Sequence, residues 1–119
     1  MHFSENKPIY LQITDYFYDQ ILTKKWGDGD NIPSVREVAV LMEVNPNTAL
    51  RAFHELQNNG IVSNKRGVGY FVTADAYDKV LDLKKKEFFD IKLPSLFKYM
   101  KLLHISMEEL EALYYSDSD

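Results

Sequence analysis

The sequence predicts a mainly α fold with a small β-hairpin wing: a winged helix-turn-helix followed by a short helical arm. Three observations predict it. The stretch PSVREVAVLMEVNPNTALRAFHELQNNGIV carries two helical patterns joined by a tight turn. SNKRGVGYFV follows directly and reads as two short strands around a basic, glycine-containing tip. The chain has 119 residues, 45% of them hydrophobic and 13% aromatic, enough for one modest packed domain with an appendage and too apolar for disorder.

In chain order, residues 1–8 read as an extended or frayed lead-in, and Pro8 suits the first turn of a helix. Ile9, Ile13, Phe17 and Ile21 recur at helical spacing, with Tyr10 and Tyr16 beside them. That helix is expected to end near Lys24 and Lys25, whose charges suit a C-terminus. Trp26 and GDGDN form a turn, and Trp26 and the early tyrosines read as core or interface packing. Ile32 is expected to be a bridge residue or a very short strand before Pro33. Ser34 and Glu37 have the spacing of a capping box for the second helix, with Val35, Val38, Ala39 and Met42 as its buried stripe.

Asn45 caps the third helix, Pro46 occupies its first turn, and Ala49, Ala52, Phe53 and Leu56 face inward. Asn58-Asn59-Gly60 ends it, with Gly60 free to turn left-handed. Ile61–Asn64 and Tyr70–Thr73 then pair as a hairpin. Between them, Gly67 and Gly69 let the Lys65–Gly69 tip bend sharply and bring backbone N–H groups toward phosphate. The tip lacks the length of a nucleotide-binding loop, and no helix follows it at once.

The chain changes character after Thr73. Residues 1–73 are read as the winged domain and 74–119 as a C-terminal helical region. Asp75 is expected to cap a helix with Asp78 in its first turn and Tyr77, Val80, Leu81, Lys84 and Phe88 along one side. Lys84-Lys85-Lys86 is either a solvated face or a nucleic-acid contact. Pro94 opens a further helix through about Leu103, with Leu96, Met100 and Leu103 inside. Ser106 and Glu109 form a second capping box, followed by Leu110, Leu113 and Tyr114, and Ser116–Asp119 is a polar, frayed tail. Tyr77, Leu81, Phe88, Phe89, Ile91, Phe97, Tyr99 and Met100 are a large apolar set for so short an arm. They are read as a dimerisation element, the alternative being packing back onto the same chain's winged domain.

Charge and chemistry bound the function. The net charge is −4, made of −1 over residues 1–73 and −3 over residues 74–119. Most of the acidity therefore lies outside the winged stretch. Within it, Arg36, Arg51, Lys65 and Arg66 stand where a winged helix faces phosphate, and local distribution outweighs the sum. The weak charge implies poor non-specific affinity for one copy and a need for two. His2, His54 and His104 share no metal-ligand spacing, Glu108, Glu109 and Glu111 form a charged helix face, and Ser34 and Ser106 are explained as caps. No catalytic group, metal or cofactor is expected. There is no cysteine, no apolar run of about 18 residues and no signal-like start, so the expectation is a cytoplasmic chain without a membrane partner.

On the third helix, Asn45, Asn47, Thr48, Leu50, Arg51 and His54 remain once the inward face is assigned. Asn47 and Thr48 suit base edges or phosphate, with Asn47 favoured for bases. Arg51 suits guanine and phosphate equally. Arg36 and Arg66 read as clamps. The expected partner is double-stranded DNA. A winged-helix protein-interaction module without specific DNA binding is the alternative, favoured by the acidic sum.

PIYLQI, GDNIPSVREVA, VNPNTALRAFHEL and GIVSNKRGVGYFV, in that order from Pro8 to Val72, resemble the winged-helix domain of the GntR family of bacterial transcription regulators. VNPNT and the short helical remainder, including LPSLFKYMKLLHISMEEL, are similar to its YtrA-type subfamily, in which a small helical dimerisation arm follows the reader. The resemblance implies a DNA-contacting arginine at Arg36, a recognition-helix polar pair at Asn47 and Thr48, and wing contacts at Arg66, Gly67 and Gly69. Pro46 and Leu50 stand where many members carry arginine and another basic residue, so an operator sequence does not carry over. The implied function is a homodimeric regulator on an inverted repeat, usually repressing a nearby operon, often one for ABC-type or other membrane transport. Aromatic abundance adds an expectation of a small apolar effector between arm and winged domain.

Overall fold

Pro8 sets the start of α1. Its carbonyl accepts N–H groups from Leu11 and Gln12 at 3.1 and 3.2 Å, and its own missing N–H is no loss in a first turn. The computed structural model describes residue 3 and residues 6–117; part of the expected lead-in and the end of the expected frayed tail lie outside them. α1 spans Ile9–Leu22 and buries Ile13, Phe17 and Ile21 at four-residue spacing. Thr14, also buried, returns its hydroxyl to the Leu11 carbonyl at 2.7 Å and so leaves no orphan polar group. The helix closes at Leu22, short of the expected Lys24–Lys25, because Lys24 turns left-handed at φ 61°.

α2, Val35–Met42, opens on the predicted capping box. Glu37 N–H donates to Ser34 Oγ at 3.1 Å and Ser34 N–H to Glu37 Oε1 at 3.2 Å. Val38 and Ala39 are buried, while Val35 and Met42 at the stripe's ends are half-buried. α3, Pro46–Asn58, places Ala49, Ala52, Phe53 and Leu56 inside, and its small alanines let neighbouring helices approach closely. Gly60 follows at φ 72°, where a side chain would be strained.

β1, Val62–Lys65, pairs antiparallel with β2, Gly69–Val72, in the register Val62↔Val72 through Lys65↔Gly69. Both strands sit one residue closer to the tip than their expected bounds. The bridge beyond the hairpin joins Asn31, not Ile32, to Phe71. Ile32 instead donates its N–H to the Tyr70 carbonyl at 3.1 Å and buries its side chain. An edge-to-face aromatic chain ties these pieces together, with Trp26–Phe17 at 5.0 Å, Phe17–Phe53 at 5.4 Å and Phe53–Tyr70 at 4.6 Å. It connects the turn, α1, α3 and the wing, which is why the groups presented by α3 and the hairpin are held on one scaffold.

The chain divides into two compact units, Met1–Asp82 and Leu83–Asp119. The first runs past Thr73 because Ala76 and Val80, in the opening turns of α4 (Ala76–Glu87), are completely buried in it. In the second unit a π-helical turn, Phe88–Lys92, joins α4 to α5, Leu93–Leu102, without a break. Pro94 has no N–H to return to the preceding turn. The wider turn before it, closed by Leu93 N–H to the Phe88 carbonyl, accommodates the missing bond.

α6, Met107–Ser116, starts at the second predicted box, Ser106 with Glu109. The expected inner set of α5 is corrected. Met100 is 6% exposed, but Leu96 is 37% and Leu103 64% exposed. Leu103 falls outside because α5 ends at Leu102 and His104 turns left-handed at φ 56°, which breaks the helical stripe. Among the described residues no helix is long and apolar enough to cross a membrane.

Candidate nucleic-acid interface

The first unit presents two open grooves and an exposed tip. One groove, about 370 Å³, lies between the start of α1 and the start of α3 and is lined by Pro8, Ile9, Tyr10, Asn47, Thr48 and Arg51. Asn47 and Arg51 stand one turn apart on α3, so helical geometry alone puts them on the same face. Asn45, next to them, is already engaged: its Oδ1 accepts the Asn47 N–H at 2.8 Å and caps the helix.

The other groove, about 760 Å³, separates the start of α2 from the wing. Arg36 lies on one wall, and Asn64, Val68, Gly69 and Tyr70 form the other. The tip beyond it is a turn closed by Val68 N–H to the Lys65 carbonyl at 2.9 Å, with Gly67 at φ 82° and Gly69 at φ 102°. Lys65, Arg66 and Gly67 are exposed there. Among the described residues, no ion pair neutralises Arg36, Arg51, Lys65 or Arg66. These four cations keep their charge for an outside anion.

Residues 9–72 match the family described as bacterial regulatory proteins, gntR family, which is more than half of the chain. The chain belongs to the GntR family. It is 39% identical over 108 residues to YhcF of Bacillus subtilis (strain 168), an uncharacterized HTH-type transcriptional regulator, covering 91% of this chain and 88% of YhcF. It is 36% identical over 77 residues to the HTH-type transcriptional repressor YtrA of the same organism, covering 65% of this chain and 59% of YtrA. A GntR family transcriptional regulator from Listeria monocytogenes has a similar solved structure, with TM-score 0.78, 33% identity, and coverage of 98% of this chain and 100% of that one. The protein is therefore a helix-turn-helix transcription regulator of a DNA-binding, non-enzymatic family.

Against that identity, the sequence-predicted residues fall into three groups. Asn47, Thr48 and Arg51 share the α1–α3 groove, Arg36 and Gly69 share the α2–wing groove, and Lys65, Arg66 and Gly67 form the tip. Tyr10 is the residue that sequence reasoning missed. The sequence suggests packing for it, yet the Arg51 guanidinium carbon lies 4.0 Å from its ring centroid. The PIYLQI block carried the signal, but a tyrosine beside an apolar stripe does not reveal which other helix it meets. His54 is exposed on α3 and lines neither groove.

The lysine run is partly neutralised within its own helical path. Lys84 lies 3.6 Å from Glu87, and Lys86 lies 2.6 Å from Asp90. Among the residues expected in dimerisation, Tyr77 and Leu81 belong to the first unit, and the Lys24 ammonium sits 5.1 Å over the Tyr77 ring. Phe88, Phe89, Ile91 and Phe97 are exposed in the second unit, whereas Met100 is buried within the single chain. No cluster of metal-ligating side chains occurs among the described residues.

Proposed function

We propose that this regulator is a cytoplasmic homodimeric repressor that places α3 of each copy in successive major grooves of an inverted-repeat operator, controlling a transport operon. The observation that carries the reading is the grouping of Asn47, Thr48 and Arg51 along one open groove, on a unit that also exposes the cations Arg36, Lys65 and Arg66. Asn47, Thr48 and Arg51 supply hydrogen-bonding groups for base edges. Arg36 and Arg66, with Lys65 and the Gly67 and Gly69 backbone, supply phosphate contacts. Repression is supported by the similarity to YtrA, named a transcriptional repressor.

Dimerisation is supported by the second unit. Phe89, Ile91, Phe97, Tyr99, Leu102 and Leu103 are all exposed there, an apolar surface that monomers rarely carry. A second copy covers it and doubles the phosphate contacts that a chain of net charge −4 makes weakly alone.

The test is to incubate the purified protein with fragmented genomic DNA of its source organism at about 0.15 M salt and to sequence what it retains. The expected result is one short inverted repeat, with half-sites about 34–36 Å apart or a multiple of it, beside transport genes. Uniform, salt-labile recovery overturns the reading. The acidic sum favours a second reading, a winged protein-interaction module. R51A and R66A separate the two, because a pure interaction module loses no DNA affinity. For an apolar effector, expected from the sequence between arm and winged domain, the first unit itself also has a 240 Å³ hollow, walled in part by Tyr16, Trp26, Leu41 and Met42. Release of the retained operator by uncharged aromatic compounds tests that part.

A further inference from the structure

The contact between Tyr10 and Arg51 joins two helices at the mouth of the α1–α3 groove. At 4.0 Å from the ring centroid, the guanidinium is well within the range at which an aromatic face holds a cation. A guanidinium that lies flat on a ring keeps its in-plane N–H groups free, and those are the groups that fork onto guanine O6 and N7. Among the described residues they form no hydrogen bond or ion pair. A phosphate clamp needs only charge at roughly the right place. A bidentate base contact needs the plane of the fork held, which is what a ring platform supplies.

The chain that leads into the helix bearing the ring is tied down. The buried Gln12 side chain donates from Nε2 to the Lys7 carbonyl at 2.7 Å, and Lys7 Nζ pairs with Asp15 at 2.6 Å. The chain entering α1 is thus tied to the helix on both sides of Tyr10. Its neighbours in the groove are Asn47 and Thr48, the residues expected to face base edges.

We infer that Tyr10 is a positioning residue for DNA recognition: its ring holds Arg51 as an edge-on fork beside Asn47 and Thr48, so that Arg51 reads a base rather than clamping a phosphate. The inference rests on the DNA-reading proposal and assigns α1 a part in it beside α2, α3 and the wing. It also divides the expected contacts. Arg36, Lys65 and Arg66 set affinity for any duplex, and Arg51 with Tyr10 sets discrimination between duplexes.

The test uses the full-length chain, the retained operator and a scrambled duplex, with affinities measured over a range of salt for wild type, Y10F, Y10L, R51A and the double variant Y10L/R51A. Y10F is expected to match wild type. Y10L is expected to lower the operator-to-scrambled ratio about two- to fivefold with an unchanged salt slope. R51A is expected to lower it about five- to hundredfold, and Y10L to add nothing in the R51A background. The inference is overturned if Y10F falls with Y10L, since the hydroxyl and not the ring is then used. It is also overturned if the Y10L loss persists in R51A, or if R51A weakens both duplexes alike with a shallower salt slope.

Because Tyr10 is half-buried, a second readout covers a Y10L chain that melts early. In the DNA-free protein, the Arg51 Nε–H proton resonance is expected to be shifted upfield by the ring in wild type and Y10F. An unshifted wild-type resonance overturns the stacking whatever the variants do. Equal wild-type affinity for operator and scrambled duplex overturns the DNA-reading proposal, and that outcome needs no variant to be seen.

Discussion

Two capping boxes, one in each unit, share two hydrogen bonds and have opposite surroundings. In both, the serine Oγ accepts the glutamate N–H at 3.1 Å, and the serine N–H donates to glutamate Oε1 at 3.2 Å. The first opens α2, which packs Val38 and Ala39 into the core. The second opens α6, which buries no residue at all. Local chemistry therefore starts a helix equally well in either place, while only the first starts one with buried residues. Isolated helices of this length are marginal in water, so α6 and the exposed turns before it depend on contacts from outside their own segment. The winged unit has a finished core, whereas among the described residues of the second unit only Met100 is buried.

The largest effect that separates the two comes from phenylalanine. Phe53 is fully buried against Phe17 and Tyr70, so Phe53→Ala is expected to destabilise the winged unit by about 3–5 kcal/mol. Small domains typically have only about 5–15 kcal/mol in total, so the loss shows as a large fall in unfolding midpoint at every protein concentration. Phe97 is 44% exposed, and Phe97→Ala is expected to change monomer stability by no more than about 0.5 kcal/mol. Its effect is expected in self-association, seen as a halved solution mass at lower dilution. Urea unfolding and sedimentation across a concentration series measure both. A Phe97→Ala loss as large as that of Phe53→Ala, independent of concentration, would show that the second unit has a core of its own.

The capping boxes give a smaller and more local contrast. Ser34→Ala is expected to cost the winged unit about 0.5–2 kcal/mol, because α2 is coupled to the core it helps to build. Ser106→Ala likewise removes the Oγ that accepts the glutamate N–H, together with its own bond to Glu109 Oε1, but is expected to fray α6 without moving the cooperative transition. Amide hydrogen exchange resolves this helix by helix. Faster exchange spread across the whole first unit for Ser34→Ala, and confined to α6 for Ser106→Ala, is the expected pattern. Equal spread in both would remove the distinction between the units.

The same contrast explains which features could be read from the sequence. The caps at Ser34, Asn45 and Ser106, the left-handed Gly60 and the inner face of α3 depend on spacing within a few residues, and each appears where the sequence puts it. Element ends are less legible wherever an ordinary residue turns left-handed, as at Lys24 and His104, because nothing in a lysine or histidine announces it. The assignment of Leu96 and Leu103 to an interior failed for a related reason: periodicity says that a face is apolar, not that something in the same chain covers it. In the interface, Asn47, Thr48 and Arg51 were legible from one helix. Tyr10 was not, since its role depends on how α1 crosses α3, a contact set by tertiary packing.

The smallest contrast lies in two exposed ion pairs that flank the unit boundary. Asp75 pairs with Lys79 at 3.1 Å in the first unit, and Lys86 pairs with Asp90 at 2.6 Å in the second; both are spaced four residues apart. Hydrogen bonding from Lys79 lowers the Asp75 pKa below its ordinary 3.8, and hydrogen bonding to Asp90 raises that of Lys86 above 10.5. The signs run opposite ways. Any stability from Asp75 is present above pH 3.8 and lost as pH falls through its lower folded value, whereas that from Lys86 is present below pH 10.5 and lost as pH rises through its higher one. Asp75 also lies at the N-terminal end of its pair, beside the start of α4, the better order on a helix. NMR titration is expected to return Asp75 toward 3.8 in Lys79→Met and Lys86 toward 10.5 in Asp90→Asn, with no measurable change in unfolding midpoint at neutral pH. If molar salt abolished the Lys86 shift but spared that of Asp75, hydrogen bonding and not charge pairing would be lowering Asp75, since screening acts on both exposed pairs.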